Sequence, residues 1–432
     1  MSRPRSPLLP IFLIVFVDVM GFTIVIPLLA IYAEKFGASP LVATLIVSCY
    51  AVASLISTPI IGRLSDLHGR KPLLLLSQAG TCAAFFMLAN STALWMVFVG
   101  RIIDGLTAGN LSIAQAYISD HTAPADRAKS FAVIGIAFGF GFMFGPALGG
   151  WLGQYGLHLP FLVATGMSAL SILCTYTLLP KAERPTAAPD TAAGPAGRRA
   201  GAFDISTYSE YFRRPALRSL YLQFFLFSFA FSSFVSGFAL YAERRFFFWK
   251  DGVHHAWGVH EVGLLFAYSG FLGVIWQGGV IGRLVKKYGE ARLTIVAFIA
   301  SIAGYGLIAF VPGDKLLPIG LVTIVTSFGS GLIRPVITAR ITHVVGKEEQ
   351  GVALGISSSL SSLAMMLAPP TGGVLLTLGL LHAWPFVPAG VSAIALVVGL
   401  ATWKRLAQYE PERPAPLPEA RVVAAPADSP PE

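Results

Sequence analysis

Gly62-Arg63-Leu64-Ser65-Asp66-Leu67-His68-Gly69-Arg70-Lys71 is a polar decapeptide set between two apolar runs, 41–61 and 73–90. Each run is about the 20 residues that a helix needs to cross a bilayer, where every backbone polar group must be satisfied within the segment. The decapeptide therefore reads as a short turn between two membrane spans. A second copy, Gly282-Arg283-Leu284-Val285-Lys286-Lys287-Tyr288-Gly289-Glu290, follows at an offset of 220 and also stands after an apolar run.

Working outward, apolar runs recur at 8–33, 41–61, 73–90, 94–119, 130–152, 159–179, 217–241, 261–281, 293–312, 318–342, 351–378 and 384–403. The first is too long for a cleaved signal peptide and has no small-residue cleavage site after it. Twelve spans accord with composition: of 432 residues, 55% are hydrophobic and only 12% charged, with a mean hydropathy of +0.69. A soluble domain carries about 25% charged residues, so a soluble enzyme, a nucleic-acid-binding domain and a disordered chain are excluded. The expected fold is an all-α integral membrane protein of two six-helix bundles.

The net charge of +9 raises the question of a polyanion partner. Sorting the 31 basic residues by the side of the predicted spans gives 22 on the side of the termini and 5 opposite. That bias places both termini in the cytoplasm, so the charge reports topology and no nucleic acid is expected as a partner. The three cysteines, Cys49, Cys82 and Cys174, lie in apolar stretches and make neither a disulfide framework nor a metal site. His254-His255, in a long external loop at 244–260, has no acidic or cysteine partner at metal spacing. No G-x-x-x-x-G-K-[ST], nucleophile-elbow or H-E-x-x-H pattern occurs. No cofactor and no enzymatic chemistry are expected, and any transport has to run on a gradient.

The chain divides as 1–180, a Pro/Ala/Gly/Arg-rich linker at 181–216 expected to be flexible, 217–405, and a Pro/Ala-rich tail at 406–432 expected to be disordered. Besides the repeated decapeptide, Gly145-Pro146-Ala147-Leu148-Gly149-Gly150 in span five corresponds to Ala368-Pro369-Pro370-Thr371-Gly372-Gly373 in span eleven at an offset of 223. Two matches at nearly one offset imply a duplication. Parallel repeats of this kind put a substrate site near the midplane, between bundles that rock against each other.

These residues carry a resemblance. The decapeptide resembles the G-x-L-[AS]-D-x-x-G-R-[RK] motif of the major facilitator superfamily. Residues 141–150 resemble the fifth-helix motif of its proton-coupled exporters, and Arg101-Ile102-Ile103-Asp104-Gly105 resembles the fourth-helix R-x-x-x-G motif. The stretch from Ala93 to Gly150 is most similar to the tetracycline/proton antiporters. The resemblance implies a proton-coupled exporter of small compounds, a monomer in a bacterial cytoplasmic membrane, with protons and the lipid bilayer as its other partners. One departure is plain: those antiporters carry an acid midway along the third helix, whereas Leu76–Leu88 has none and Ala84 stands near its place. The departure argues against tetracycline itself as substrate.

Charge at membrane depth is expensive and is kept for use. Asp18 lies about 15 Å into span one, and Arg101 and Asp104, three apart on span four, share a face and can pair. These three are the candidate proton-coupling residues. The competing readings are a static Arg101–Asp104 packing pair, and an Asp18 that caps an irregularity near Gly21 and Pro27. Asn110, Gln115, Gln223, Phe231, Gln277 and Arg334 are the candidate cavity residues; Ser228, Ser232 and Ser236 form a stripe on span seven, with phenylalanines on the adjacent face. In the decapeptide, Gly62 and Gly69 are expected to make tight turns. Asp66 is placed to accept from a neighbouring helix N-terminus, or to pair with Arg70 or Arg127 as a latch that breaks when the halves part. Gly141, Gly145, Gly149 and Gly153 recur on one face of span five, a close-packing seam, with Pro146 expected to bend it; Gly141, Gly145, Pro146, Gly149 and Gly150 are the residues of the antiporter motif. The rival functions are a facilitator or proton symporter for a metabolite or lysolipid-like molecule, and a membrane scaffold or receptor without transport.

Overall fold

The computed structural model describes residues 8–121, 127–179, 205–250, 252–346 and 349–403. In the first half these form α1 (Leu8–Glu34), α2 (Pro40–His68), α3 (Arg70–Ala89), α4 (Leu94–Leu106), α5 (Asn110–His121), α6 (Arg127–Gly153) and α7 (Leu159–Leu178). In the second they form α8 (Ile205–Arg213), α9 (Pro215–Arg245), β1 (Phe247–Lys250), β2 (Val253–Ala256), α10 (Val259–Ile275), a π-helical turn (Trp276–Val280) and α11 (Ile281–Tyr288). The chain then continues through α12 (Glu290–Ile308), α13 (Leu316–Val344), α14 (Gln350–Thr377) and α15 (Phe386–Ala401). Among the described residues eleven helical stretches are long and apolar enough to cross a membrane, and Phe386–Ala401 is a shorter apolar helix.

Four expectations change. The decapeptide is not a loop: α2 stays helical through Gly62 to His68, and the turn is Gly69 alone, at φ 94°. Helical hydrogen bonds do not end where hydrophobicity does, so only the residue with positive φ needs glycine. Gly289, at φ 80°, turns the second copy in the same way. Span four is two helices, broken at Thr107–Gly109. The segment expected as linker contains the helix Ile205–Arg213; residues 180–204 and the tail from 404 lie outside the described residues. The external loop carries a two-stranded antiparallel hairpin that pairs Trp249 with His254.

The cores show how the halves meet. One cluster around Ile14, Leu73, Tyr117 and Ile134 belongs wholly to the first half, and another around Tyr221, Phe298, Ile337 and Val345 wholly to the second. Toward the other end a single cluster crosses both: Leu28, Tyr32, Ile46 and Phe161 pack with Phe238, Tyr241, Trp257 and Trp384. The molecule is therefore two bundles joined at the end that carries residues 34–40 and parted at the end that carries Gly69 and Gly289. In hydrocarbon such joining relies on close van der Waals packing rather than on exclusion of water.

Glycines set that closeness. A Cβ on Gly150 would stand 2.7 Å from the Val259 carbonyl oxygen, and one on Gly263 2.5 Å from that of Pro146, so α6 and α10 meet backbone to backbone across the two bundles. Gly373 on α14 would meet Thr44 and the Leu41 backbone of α2, again across the boundary. Gly149 packs on α1 within its own bundle, and Gly372 packs toward Ser233 and Trp384 within its own. The 223-residue offset seen in sequence thus relates Gly149 to Gly372 and Gly150 to Gly373 in their packing as well.

Candidate functional site

The first cluster is built around the break in span four. Gly105 lets α4 press on α2: a Cβ there would lie 2.5 Å from the Tyr50 carbonyl oxygen, and Ser57 Oγ donates to the Gly105 carbonyl at 2.7 Å. That contact brings the Tyr50 ring under Arg101, whose guanidinium carbon is 4.2 Å from the ring centroid, a cation–π arrangement. Arg101 Nη1 donates to Asp104 Oδ2 at 2.5 Å, with the two residues only 3% and 4% exposed. At Thr107–Gly109 the chain leaves the helix; Ser77 of α3 accepts from Gly109 N–H at 3.0 Å and donates to the Thr107 carbonyl, satisfying the freed backbone.

Asp18 on α1 has the side chains of Ser171, Gln78 and Asn110 within hydrogen-bonding reach, and it feels the Asp104 carboxylate. Gln78 Nε2 also donates to Ser171 Oγ at 2.7 Å. Asp18, Arg101 and Asp104 are thus brought together in one bundle. Asn110, expected in the substrate cavity, stands with Asp18 instead because it opens α5 just past the break. Tyr50, Gln78, Thr81 and Ser171 escaped sequence reading. Gln78 and Ser171 had a signal, since each is a polar side chain in an apolar span; Tyr50 needed the α2–α4 crossing to be known.

The second feature is a cavity of about 190 Å³ between the bundles. Phe22, Val25, Ile26, Leu29, Val47, Arg101 and Phe142 of the first half face Phe227, Ser228, Phe231, Ser232, Val235, Ser236, Arg334, Ser361 and Met365 of the second. The serine stripe of α9 and both Phe231 and Arg334 are in its wall. Gln223 is not: it is fully buried, its amide donates to Ser219, and it packs against Gly399 of α15. Gln115 is exposed on α5, and Gln277 lies in the π-helical turn, 3.9 Å from a Cβ placed on Gly331, outside the cavity wall. The serine stripe of the same helix gives the phase: Gln223 stands five residues before Ser228, so at about 100° per residue it points about 140° away from the stripe and from the cavity.

At the parted end Arg70 gathers a small polar network. Its Nη1 lies 2.5 Å from Asp66 and donates to Ser65 at 2.7 Å, and its Nε donates to Asp120 of α5 at 2.8 Å. Asp66 therefore faces Arg70, and Asp120 is a member that the motif did not announce. The Arg127 side chain lies outside the described residues. The fifth-helix glycines seat α6 on α1: a Cβ on Gly141 would meet Val19, one on Gly145 would meet Thr23, and Thr23 Oγ1 donates to the Gly141 carbonyl at 2.8 Å. Among the described residues no group of three or more His, Cys, Asp or Glu gathers as metal ligands would.

Comparisons with known proteins agree with this architecture. The family profile described as Major Facilitator Superfamily matches residues 11–327 and 254–429. The class D tetracycline resistance protein of Salmonella ordonez is 30% identical over 375 residues, covering 84% of this chain and 88% of that one. The class G protein of Vibrio anguillarum is 29% identical, covering 93% and 98%. Multidrug resistance protein 2 of Bacillus subtilis (strain 168) is 25% identical over 90% and 93%. In fold, the chain is similar to a bacterial homologue of the human lysosomal transporter Spinster in an inward-facing, unoccupied conformation, with a TM-score of 0.75 at 15% identity over 95% and 99% of the chains. Its TM-score to the human organic anion transporter MFSD10 is 0.68 at 23% identity. Twelve spans in two bundles, the repeated seam and the matched family profile lead to one statement: this chain is an integral membrane protein of the major facilitator superfamily.

Proposed function

We propose that the chain is a secondary transporter that exports small amphipathic compounds in exchange for protons, by alternating access. The observation that carries this reading is the cavity between the bundles, sealed by the glycine seam on one side, with a buried Arg101–Asp104 pair and Asp18 beside it in the first bundle. The relatives' names, tetracycline and multidrug resistance proteins, support export of a drug-like compound. The basic residues support a cytoplasmic position for both termini, so the sealed end faces outward and the cavity is reached from the cytoplasm. The setting that fits is a bacterial cytoplasmic membrane, with the bundles at 1–180 and 217–405 joined by the 181–216 linker, and a monomer as the working unit.

In this cycle the substrate enters the cavity from the cytoplasmic side. Parting of the α6–α10 and α2–α14 contacts opens the outer end, while the Asp66–Arg70–Asp120 network, already formed within the first bundle at the parted end, holds α2, α3 and α5 together as the inner ends approach. Asp18 exchanges its proton as its access to water and its contacts with Gln78, Asn110 and Ser171 change. The Arg101–Asp104 pair fixes the field around it. A carboxylate removed from water binds a proton more readily than an exposed one, so a rocking motion that alternates its hydration alternates its proton occupancy.

The test is uptake of fluorescent amphiphiles of either charge, the cation ethidium and the anion dimethylaminonaphthalenesulfonate, into inverted membrane vesicles under an imposed pH gradient, at least one of which should be carried. Uptake should follow the gradient and be lost in Asp18→Asn. Uptake indifferent to the gradient, with D18N and D104N as active as the parent, excludes proton exchange.

A further inference from the structure

The cavity wall is unbalanced in charge. It holds two arginines, Arg101 and Arg334, and no aspartate or glutamate. Arg101 is already engaged with Asp104 at 2.5 Å and with the Tyr50 ring. Arg334 is not. It sits on α13 in the opposite bundle, its side chain is open to the cavity, and among the described residues no hydrogen bond or ion pair reaches its guanidinium. Its backbone carbonyl accepts from Thr338 Oγ1 at 2.8 Å, one helical turn on, and leaves the guanidinium untouched.

An arginine cannot shed its charge in a protein, and an unpaired charge at membrane depth is costly. While the cavity is open, water can serve the guanidinium. Any state of the cycle in which both ends are shut strips that water away, and the charge then needs a counter-ion inside the cavity. The carboxylates of Asp18 and Asp104 do not line it: they stand behind the wall with Gln78, Thr81, Asn110 and Ser171. A ligand is the remaining source of negative charge.

The rest of the wall describes the rest of that ligand. Phe22, Phe142, Phe227 and Phe231 line it from both bundles, and Ser228 and Ser361 bring hydroxyls to the same wall. A volume of about 190 Å³ is below the ~300–1,000 Å³ of sites that enclose drug-sized molecules, so the cavity in this conformation suits a compound of one or two rings. We propose that the cavity selects aromatic anions, with a carboxylate or sulfonate on Arg334 and the ring system between the phenylalanines of the two bundles. A guanidinium is suited to a planar carboxylate because it can donate two parallel hydrogen bonds. The proposal rests on the cavity being the transport site, as in the proposed function, and is independent of the direction in which protons move.

The experiment is equilibrium dialysis with the purified, detergent-solubilised full chain at fixed pH and without a gradient. Three probes share one ring system: naphthoate, naphthylmethylammonium and naphthylmethanol. Binding should fall in the order anion, neutral, cation. Arg334→Gln should weaken naphthoate by about tenfold or more, with little effect on the neutral probe, while Arg334→Lys keeps a substantial part of the affinity, as removal of a charge-assisted contact predicts. Should R334Q fail to fold, the order of the three probes on the parent protein decides alone. A cation that binds more tightly than naphthoate, no binding of naphthoate to the parent, or an R334Q protein that binds naphthoate as the parent does overturns the proposal. Gradient-driven uptake is scored separately with amphiphiles of both charges: if neither ethidium nor dimethylaminonaphthalenesulfonate follows the gradient while naphthoate binds through Arg334, proton exchange fails and the anion site stands. If uptake persists while the probe order is reversed, the anion site fails and proton exchange stands.

Discussion

Arg244 on α9 donates from Nη2 to Glu34 at the end of α1 with a separation of 2.6 Å, tying the last turn of one bundle's first helix to the last turn of the other's. The contact is reinforced at the same end by Leu41 N–H, which donates to Thr377 Oγ1 at 2.9 Å, and by Gln154 and His260, 2.7 Å apart. Arg244 also holds the Leu240 carbonyl through Nη1 and lies 3.9 Å from Glu243. The half-exposed pair is worth about 0.2–1 kcal/mol, which is small beside a whole protein's stability but large beside the balance between two conformers.

Neutralising either member should therefore shift that balance toward an opened end by up to about fivefold. Pulsed electron resonance between spin labels at Lys35 and Leu380 would show a longer distance gaining population in Glu34→Gln and Arg244→Gln. The reversed pair E34R/R244E should return the distribution toward that of the parent. Identical distributions in all four proteins would deny the pair any part in closure.

The glycine seam makes a sharper demand. Gly150→Ala places its methyl 2.7 Å from the Val259 carbonyl oxygen, an overlap that backbone on both sides cannot relieve without moving the helices apart. Transport should drop by at least about tenfold at matched protein level, about 1.4 kcal/mol in the closure step, with the same label pair reporting an opened end. Gly282→Ala is the control: nothing lies within 4 Å of its Cβ, and alanine is favoured over glycine in a helix by about 1 kcal/mol.

The Arg101–Asp104 pair tests whether stability and coupling share residues. Removing one partner of a buried pair costs about 3–5 kcal/mol because the other charge is left unmatched. Melting of R101Q and of D104N in detergent should each fall by several degrees, and the double variant should fall by less than the sum of the two. R101K should not rescue fully, since an ammonium lacks the planar stack over Tyr50.

Outside the membrane-spanning segments, Arg214 donates to both carboxylate oxygens of Glu349, at 2.7 and 2.9 Å, and to Glu210 at 3.2 Å. This ties the start of α9 to the residue that precedes α14. The hydrogen bonds from Arg214 hold the Glu349 carboxyl below its ordinary value, and the same contact pushes the arginine up. A depressed folded-state pKa adds stability above the unfolded value, 4.5, which is lost as pH falls through the folded one. The parent should therefore melt above Glu349→Gln at neutral pH, and the two curves should converge on acidification below the ordinary carboxylate range. A gap that persists in acid would assign the difference to packing.

Much of the fold was legible because hydrophobicity over 20 residues is a strong signal and the repeats at offsets 220 and 223 fixed the symmetry. The site was legible where charge was scarce: Asp18, Arg101 and Asp104 stood out, and the structure brings them together. What escaped was direction and interruption. The break at Thr107–Gly109 lies in a run that stays apolar throughout. Gln223 groups with the cavity by its polarity, although the serine stripe of its own helix faces about 140° away from it. The helix Ile205–Arg213 is short and amphipathic, inside a segment whose composition reads as linker. Gly62 reads as a turn because polarity marks the end of a span, whereas the helix goes on until Gly69. Tyr50 became a partner of Arg101 only through Gly105, whose missing side chain lets the two helices touch.

The joined end has a consequence for how such a protein can change. Its closest helix crossings are main chain on main chain: Gly150 against the carbonyl of Val259, Gly263 against that of Pro146, Gly373 against the backbone at Leu41. Main-chain contacts do not depend on which side chains stand a turn or two deeper in the wall. Phenylalanines and serines of the cavity can be exchanged one at a time, altering what is carried, while the door keeps its fit. The fold thereby separates the part that must not drift from the part that can be re-cut for a new compound.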